Sequence, residues 1–355
     1  MKDKKGNVNV SFSWVLVTII GVFFLLTSSS LIQKYKEYKD REFEIEFKEY
    51  LEDIFKKVTE NVDVSENKLF LVEDIFQDRT IDVSCQEGMI YLIVDDIFDQ
   101  NNDLLKSNPV FTKKYVVDKG EDVYIGTQTY KLPFLVTNFF IITTFKNFII
   151  FDSSSEEIED LIENFKDSSF SELNYDIKNF SEISDLVSLV NNKIDEQNLK
   201  QVTIITDKDV NIDNIDVNTY ILNYTFEKDE NFILVNLTYK DQSGSEKHFK
   251  FIDYGDDFAI SKSAIFSSPE NFECANQMID NILKITYDFK LDYSSYLFKI
   301  TNENICTDNH KYFFIKNELN DSINNIDNKE VFKNHLKDIE KENNELIEKG
   351  CLPVY

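Results

Sequence analysis

The sequence contains little glycine, proline or arginine. Its 355 residues include 8 glycines and 4 prolines, which excludes collagen-like and Gly/Pro-rich linker architectures. Arg41 and Arg79 are the only arginines, and the formal net charge is −27. Binding of nucleic acid normally requires a basic surface that includes arginine side chains. The composition therefore argues against a nucleic-acid partner.

The sequence also lacks the common catalytic motifs. It contains no H-E-x-x-H, G-x-S-x-G, Walker loop or G-x-G-x-x-G pattern. Its 4 cysteines form no C-x-x-C pair, so neither a zinc ribbon nor a thioredoxin-like site is indicated. A hydrophobic fraction of 42% and a charged fraction of 29% are ordinary for a globular protein. We therefore predict a folded protein that is not an enzyme and has no cofactor.

An uncharged stretch lies near the N-terminus. From Gly6 to Gln33, 28 consecutive residues carry no charge. Residues 10–32 are long enough for one membrane-spanning helix, which needs about 20 apolar residues. The side chains predicted to anchor this helix in the bilayer are large and apolar: Trp14, Ile19, Ile20, Phe23, Phe24 and Leu25.

Two other interpretations of this stretch remain open. One is a cleaved signal peptide, because three lysines precede a short apolar run; the other is a buried core helix. If the anchor is retained, its short basic N-terminus favours a cytoplasmic start and a large domain outside. All four cysteines lie in that domain, and an even number suits an oxidising compartment. We therefore predict a single-pass protein of the cell membrane with an extracytoplasmic domain.

The hydrophobic patterns predict an α/β fold class, with α+β character at the edges. Residues 1–9 form a basic tail, and residues 33–60 form a stalk helix. Residues 61–355 form a single domain, with a β-rich part at 61–145, a βαβαβ unit with further strands at 146–255, and a helical part at 256–355. The alternation in the middle part predicts a three-layer-like arrangement around a mostly parallel sheet.

The helical part is predicted to be a pair of helices with a strand between them. Ser268-Pro269 is typical of a helix start, with serine as the cap and proline at the first helical position. Apolar residues repeat at helical spacing from Lys329 to Lys349, which predicts the last helix. The aromatic run at 311–316 is interpreted as a strand.

Two aspartates follow predicted parallel strands. Asp152 and Asp207 would lie at the sheet edge where α/β proteins place functional groups. Two carboxylates at that edge can hold Mg²⁺. Helix capping and turn formation are the favoured explanation, since aspartate serves both for local reasons. We therefore assign no metal site and keep the two carboxylates as candidates.

The four cysteines suggest two disulfides. If the helices that start at Pro269 and Lys329 pack antiparallel, Cys274 lies close to Cys351. Cys85 would then pair with Cys306 by elimination. Four buried free thiols are the alternative.

Both ends of the chain show a family resemblance. Lys5-Gly6, followed by Ser11-Phe12-Ser13-Trp14 at the start of the apolar helix, resembles archaeal class III signal peptides and pilin-like proteins. Ser13 stands where pilins commonly carry glutamate. Ala264 to Ser268 with Cys274, and the ending Cys351 to Tyr355, are similar to uncharacterised single-pass membrane-anchored proteins of small-genome archaea. The resemblance implies an archaeal source, one N-terminal anchor and an outward domain, without an activity.

These observations predict a membrane-anchored protein of the cell envelope. Its role would be binding or structural, either as a surface interaction domain or as a pilin-like subunit that assembles through the N-terminal helix. The lipid bilayer is the expected partner of residues 10–32. The competing hypothesis is an enzyme or sensor domain that binds a nucleotide or a metal through the strand-end carboxylates.

Overall fold

The computed structural model describes most of the chain after residue 107 and shorter stretches before it. The described residues are 34–35, 49, 53, 69–72, 79–86, 89–94, 97–98, 108–154, 158–179, 183–208, 215, 217–241, 243–301, 306 and 308–355. The chain divides into two compact units, Met1–Ile54 and Phe55–Tyr355. The predicted membrane span at 10–32 and most of the stalk at 33–60 lie outside the described residues. Of the helices that are described, none is long and apolar enough to cross a membrane.

Two small sheets are formed by the first eight described strands of the second unit. One has the order β1-β7-β8-β5 and the other has the order β4-β3-β2-β6. The strand bounds are β1 Leu69–Val72, β2 Arg79–Gln86, β3 Met89–Val94, β4 Ile97–Phe98, β5 Val110–Phe111, β6 Tyr115–Val117, β7 Val123–Lys131 and β8 Leu135–Thr144.

A larger sheet follows, with six strands among the described residues. Its strands are β9 Asn147–Asp152, β10 Tyr175–Lys178, β11 Gln201–Thr206, β12 Asn218–Asp229, β13 Phe232–Asp241 and β14 Glu246–Tyr254. Their order is β10-β9-β11-β12-β13-β14. The first three pairings in this order are parallel and the last two are antiparallel. The predicted mixed α/β fold with a mostly parallel sheet is therefore confirmed.

Two helices connect the parallel strands on opposite faces of this sheet. Helix α1, Glu159–Lys166, follows β9, and helix α2, Ile183–Gln197, follows β10. Phe148 and Ile150 of β9 share an apolar cluster with Val190 of α2. The next side chain, Phe151, contacts Phe165 of α1, with ring centroids 5.0 Å apart. Because both faces are covered, every residue of β9 and β11 is buried.

Four helices complete the described fold. They are α3 Ala259–Ile265, α4 Pro269–Ile300, α5 His310–Asn324 and α6 Lys329–Glu348. The predicted helix start is confirmed, because Ser268 Oγ accepts a hydrogen bond from the backbone N–H of Asn271 at 3.3 Å. The strand predicted at 311–316 is wrong, since these residues lie inside α5. The buried side chains of α5 recur at helical steps, at Tyr312, Ile315, Leu319 and Ser322.

The structure contains two disulfides, but the predicted pairing was wrong. Cys85 of β2 pairs with Cys274 of α4, and Cys306 pairs with Cys351. The prediction placed a strand between two helices and assumed that those helices were antiparallel. Helix α5 takes the place of that strand, and the extra helix changes the direction of α6 relative to α4.

Two ion pairs show the directions of α4, α5 and α6 relative to one another. Lys311 at the start of α5 lies 2.6 Å from Glu345 near the end of α6, so α5 and α6 are antiparallel. Lys329 at the start of α6 lies 2.5 Å from Asp280 in the first half of α4. The end of α6 is therefore beside the start of α5, where Cys306 lies, and is distant from Cys274.

Candidate functional site

The parallel strands β9, β10 and β11 end at one edge of the large sheet. The chain leaves β9 through α1 to reach β10 on one side of β9, and returns through α2 to reach β11 on the other side. The strand order therefore reverses between β9 and β11. In open α/β sheets, the crevice outside the carboxyl ends of the strands at such a reversal is where ligands bind.

Asp152 is the last residue of β9, and its side chain is completely buried in this region. Its Oδ1 accepts hydrogen bonds from the backbone N–H and the Oγ of Ser154, at 3.0 and 2.5 Å. Its Oδ2 accepts a hydrogen bond from Thr206 Oγ1 at 3.0 Å and lies 3.2 Å from Lys208 Nζ. We call Asp152, Ser154, Thr206 and Lys208 the Asp152 cluster.

The alternation of side chains along β9 and β11 explains how this cluster forms. The two strands pair in parallel up to Ile205 and Phe151, so Thr206 is the neighbour of Asp152. Alternation places both on the face that carries Phe148 and Ile150. Thr206 Oγ1 also accepts a hydrogen bond from the backbone N–H of Lys208 at 3.1 Å. This bond turns the chain so that Lys208 reaches back to Asp152.

Of the two predicted carboxylates, Asp152 alone belongs to this cluster. Asp207 lies between Thr206 and Lys208, and its side chain is exposed. Sequence reasoning missed Thr206 and Lys208, although the period of two along a strand was a usable signal. Residues 206 and 208 share one side of the chain, and residue 207 takes the other side.

The charges of the Asp152 cluster balance. A buried carboxylate is tolerated in a protein when it is paired and hydrogen-bonded. Lys208 supplies the positive charge while 41% of its side chain stays exposed.

Among the described residues, no group of three or more His, Cys, Asp or Glu is arranged to hold a metal ion. The cluster instead offers one carboxylate and two hydroxyls, which are hard oxygen ligands of the kind that Mg²⁺ and Ca²⁺ prefer.

A second feature is an exposed apolar face on the last half of α4. We call it the α4 aromatic row and define it by Ile285, Phe289, Tyr293, Tyr296 and Ile300. Successive members are three or four residues apart, so they lie on one face of the helix. Ile285 is 69% exposed, Phe289 is 67% exposed and Tyr296 is 56% exposed. Sequence reasoning missed this row because an apolar stripe is normally taken as a buried face.

An acidic cleft opens near the start of α4. Its volume is about 420 Å³. It is lined by Asn218, Thr219, Tyr220, Asp241, Ser243, Pro269 and Glu270. The two carboxylates and the phenol ring of Tyr220 suit a cation more than an anion.

A buried lysine lies behind the wall of this cleft. The Lys113 ammonium is 5.1 Å from the centre of the Tyr220 ring and donates a hydrogen bond to Thr203 Oγ1. Lys113 is only 1% exposed. Burial lowers the pKa of Lys113 to about 7, because a charged amine loses its hydration in the core.

No family model, no curated protein and no solved structure matches this chain. The functional interpretation therefore depends on the residues of the chain itself. The features that carry it are the Asp152 cluster, the α4 aromatic row and the two disulfides.

Proposed function

We propose that this chain is a membrane-anchored protein of the cell envelope whose large domain binds a protein partner outside the cytoplasm. The α4 aromatic row is the observation that carries the proposal. Soluble monomers rarely expose contiguous apolar patches of this kind, and larger ones commonly mark interaction surfaces.

The shape and surroundings of the α4 aromatic row support a protein partner. From residue 285 to residue 300 the row extends about 22 Å along the helix axis, at 1.5 Å per residue. Asp288, Asp292 and Lys299 are exposed on the same part of α4 and provide charged neighbours. An apolar, aromatic centre with a polar rim is the usual anatomy of a protein interface.

The two disulfides support a location outside the cytoplasm. Disulfides persist in oxidising compartments and are rare in the reducing cytosol. In this proposal, residues 10–32 anchor the chain in the lipid bilayer, and residues 33–60 continue as a stalk helix. The resemblance to pilin-like proteins of archaea adds a specific version, in which the partner is a second copy and assembly proceeds through the N-terminal helix.

Photocrosslinking in cells that express the full chain tests the proposed surface. A photoreactive phenylalanine analogue at position 289 or 296 should form adducts with a protein partner, because both side chains point outward from the row. Glu227 on β12 is an exposed position suited to a matched control. Adducts of equal yield at Glu227, or none at 289 and 296, would contradict the proposal. An adduct of twice the chain mass would identify a second copy.

A second candidate function is a sensor or enzyme domain that binds a nucleotide or a metal. It is favoured by the position of the Asp152 cluster at the reversal of strand order. Tight, Mg²⁺-dependent binding of a nucleotide by the purified full chain would support it. The binding should disappear in an Asp152→Asn variant that retains its fold.

A further inference from the structure

We propose that the Asp152 cluster is a site for Mg²⁺ and a phosphate group, in which the Lys208 ammonium takes the position of the metal ion until the ligand arrives. On binding, Mg²⁺ replaces the ammonium at Asp152, and Lys208 moves to the phosphate. This inference rests on the second candidate function and specifies the ligand of that site and the role of Lys208.

The oxygen atoms of the cluster fit the first part of this exchange. Mg²⁺ keeps several water ligands and is commonly held by one or two carboxylates together with phosphate oxygens of the substrate. Asp152 Oδ2 supplies the carboxylate, and Thr206 Oγ1 is 3.0 Å from it. Ser154 Oγ hydrogen-bonds to the other carboxylate oxygen at 2.5 Å. These side chains supply part of a Mg²⁺ coordination shell, which leaves the remaining positions to water and phosphate.

The contacts of Lys208 show that its ammonium binds where a cation would bind. Its Nζ lies 3.2 Å from Asp152 Oδ2 and donates a hydrogen bond to Ser154 Oγ. It therefore contacts the same oxygen atoms that a metal ion would use. Since the lysine stem is flexible and partly exposed, the ammonium can move away without a change in the core.

The burial of Asp152 explains why the exchange needs both parts of the ligand. If Lys208 left alone, a completely buried carboxylate would lose its positive partner, which is strongly unfavourable. Phosphate alone would draw Lys208 away and leave the charge of the buried Asp152 without a cation. Mg²⁺ compensates Asp152 while the phosphate accepts charge-assisted hydrogen bonds from Lys208.

The experiment measures Mn²⁺ binding to the purified full chain by electron paramagnetic resonance, with and without inorganic phosphate. Mn²⁺ serves as the probe for Mg²⁺. In the native chain, phosphate should increase the affinity for Mn²⁺. In Lys208→Met, Mn²⁺ should bind at least about tenfold more tightly without phosphate, since a competing charged contact is gone. Phosphate should no longer increase the affinity of that variant.

Two further variants separate this site from the acidic surface. Asp152→Asn should lose the Mn²⁺ site, whereas binding by scattered surface carboxylates would persist. Lys178→Met is the matched control, because Lys178 is in register with Asp152 on β10 but forms its ion pair with Asp176. It should behave as the native chain does. Lys208→Met removes the positive partner of the buried Asp152, so the folded state of this variant and of Asp152→Asn is verified by circular dichroism before binding is measured. The native chain with and without phosphate needs no substitution, and an Mn²⁺ affinity that phosphate does not increase would by itself overturn the exchange.

Each outcome decides between the inference and the function on which it rests. Tighter Mn²⁺ binding in Lys208→Met, with loss of the phosphate effect, supports the exchange. Equal, Asp152-dependent binding in the native chain and Lys208→Met overturns the exchange but supports the second candidate function. No Asp152-dependent binding in either chain, with or without phosphate, overturns both.

Discussion

Buried tyrosines connect separate elements of the fold through single hydrogen bonds. Tyr130 donates to the carbonyl of Ile252 at 2.9 Å, Tyr224 to that of Ser261 at 2.8 Å, and Tyr287 to that of Leu132 at 2.8 Å. All three rings are completely or almost completely buried. A buried hydroxyl is tolerated because it has a partner, and the carbonyl that accepts the bond is satisfied in the same way.

Replacement of Tyr224 by phenylalanine tests the energetic value of one such bond. Tyr224→Phe should lower the free energy of unfolding by about 1–2 kcal/mol, since the Ser261 carbonyl is left buried without this donor. Urea unfolding of the full chain measures the change. The matched control is Tyr296→Phe on the α4 aromatic row, where an exposed hydroxyl is removed and the change should be near zero. Equal effects of the two substitutions would contradict this account.

Lys113 should make the free energy of unfolding depend on pH between about 7 and about 10.4. Burial lowers its pKa to about 7, whereas an unfolded chain titrates near the ordinary lysine value of about 10.4. Between these values the unfolded state binds more protons, so stability rises with pH and falls as pH decreases towards 7. For one proton the slope is at most about 1.4 kcal/mol per pH unit.

A Lys113→Met variant isolates this effect. Methionine keeps an unbranched apolar side chain and removes the titrating group, so the slope between pH 7.5 and 9.5 should be smaller than in the native chain. Urea midpoints at several pH values in this window give the comparison. A native slope that the substitution leaves unchanged would show that Lys113 is charged in the folded protein.

At the scale of elements, the two C-terminal helices α5 and α6 are joined by a disulfide. Cys306 precedes α5 and Cys351 follows α6, with a sequence separation of 45 residues. In the chain-entropy model, closure of such a loop stabilises the folded state by about 4 kcal/mol. The Cys306→Ser/Cys351→Ser double variant should therefore unfold at a clearly lower temperature than the native chain.

The second disulfide provides a comparison for this prediction. Cys85 and Cys274 are 189 residues apart, and the same model assigns about 5 kcal/mol to that longer loop. Cys85→Ser/Cys274→Ser should destabilise the chain at least as much as the first double variant. Peptide mapping without reduction should recover the pairs 85–274 and 306–351. Recovery of a 274–351 peptide would contradict the arrangement of α4, α5 and α6.

Elements with a strong local pattern could be predicted from the sequence, and their mutual arrangement could not. Asn147 to Thr206 was predicted correctly as strand, helix, strand, helix and strand, because apolar strands alternate with amphipathic helices there. The start of α4 was also predicted, since Ser268 and Pro269 act locally. The aromatic run at 311–316 was misinterpreted because phenylalanine and tyrosine favour strands when the neighbouring helical spacing is ignored.

The candidate site was predicted only in part. Asp152 was identified from its position after a strand, which is a local signal. The role of Lys208 depends on how β9 and β11 align, and the disulfide pairing depends on the direction of α6. These are tertiary properties. A single wrong element, the strand assigned within α5, was enough to change the disulfide pairing.

At the scale of the whole molecule, the negative charge belongs to the part of the chain after residue 33. Residues 34–355 include 64 acidic and 35 basic residues, a net charge of −29. A surface of this sign repels anionic lipids and nucleic acids and keeps the domain soluble. A partner of the α4 aromatic row therefore has to offer an apolar surface without strong negative charge around it.

Protease accessibility in intact cells shows whether the large domain faces the outside of the cell. A protease is added to intact cells that express the full chain with a tag at its C-terminus. If the domain faces outward, the tagged domain is cleaved in intact cells, while a cytoplasmic marker protein stays whole. Cleavage of the domain only after the membrane has been permeabilised would contradict the proposed topology and the proposed function that depends on it.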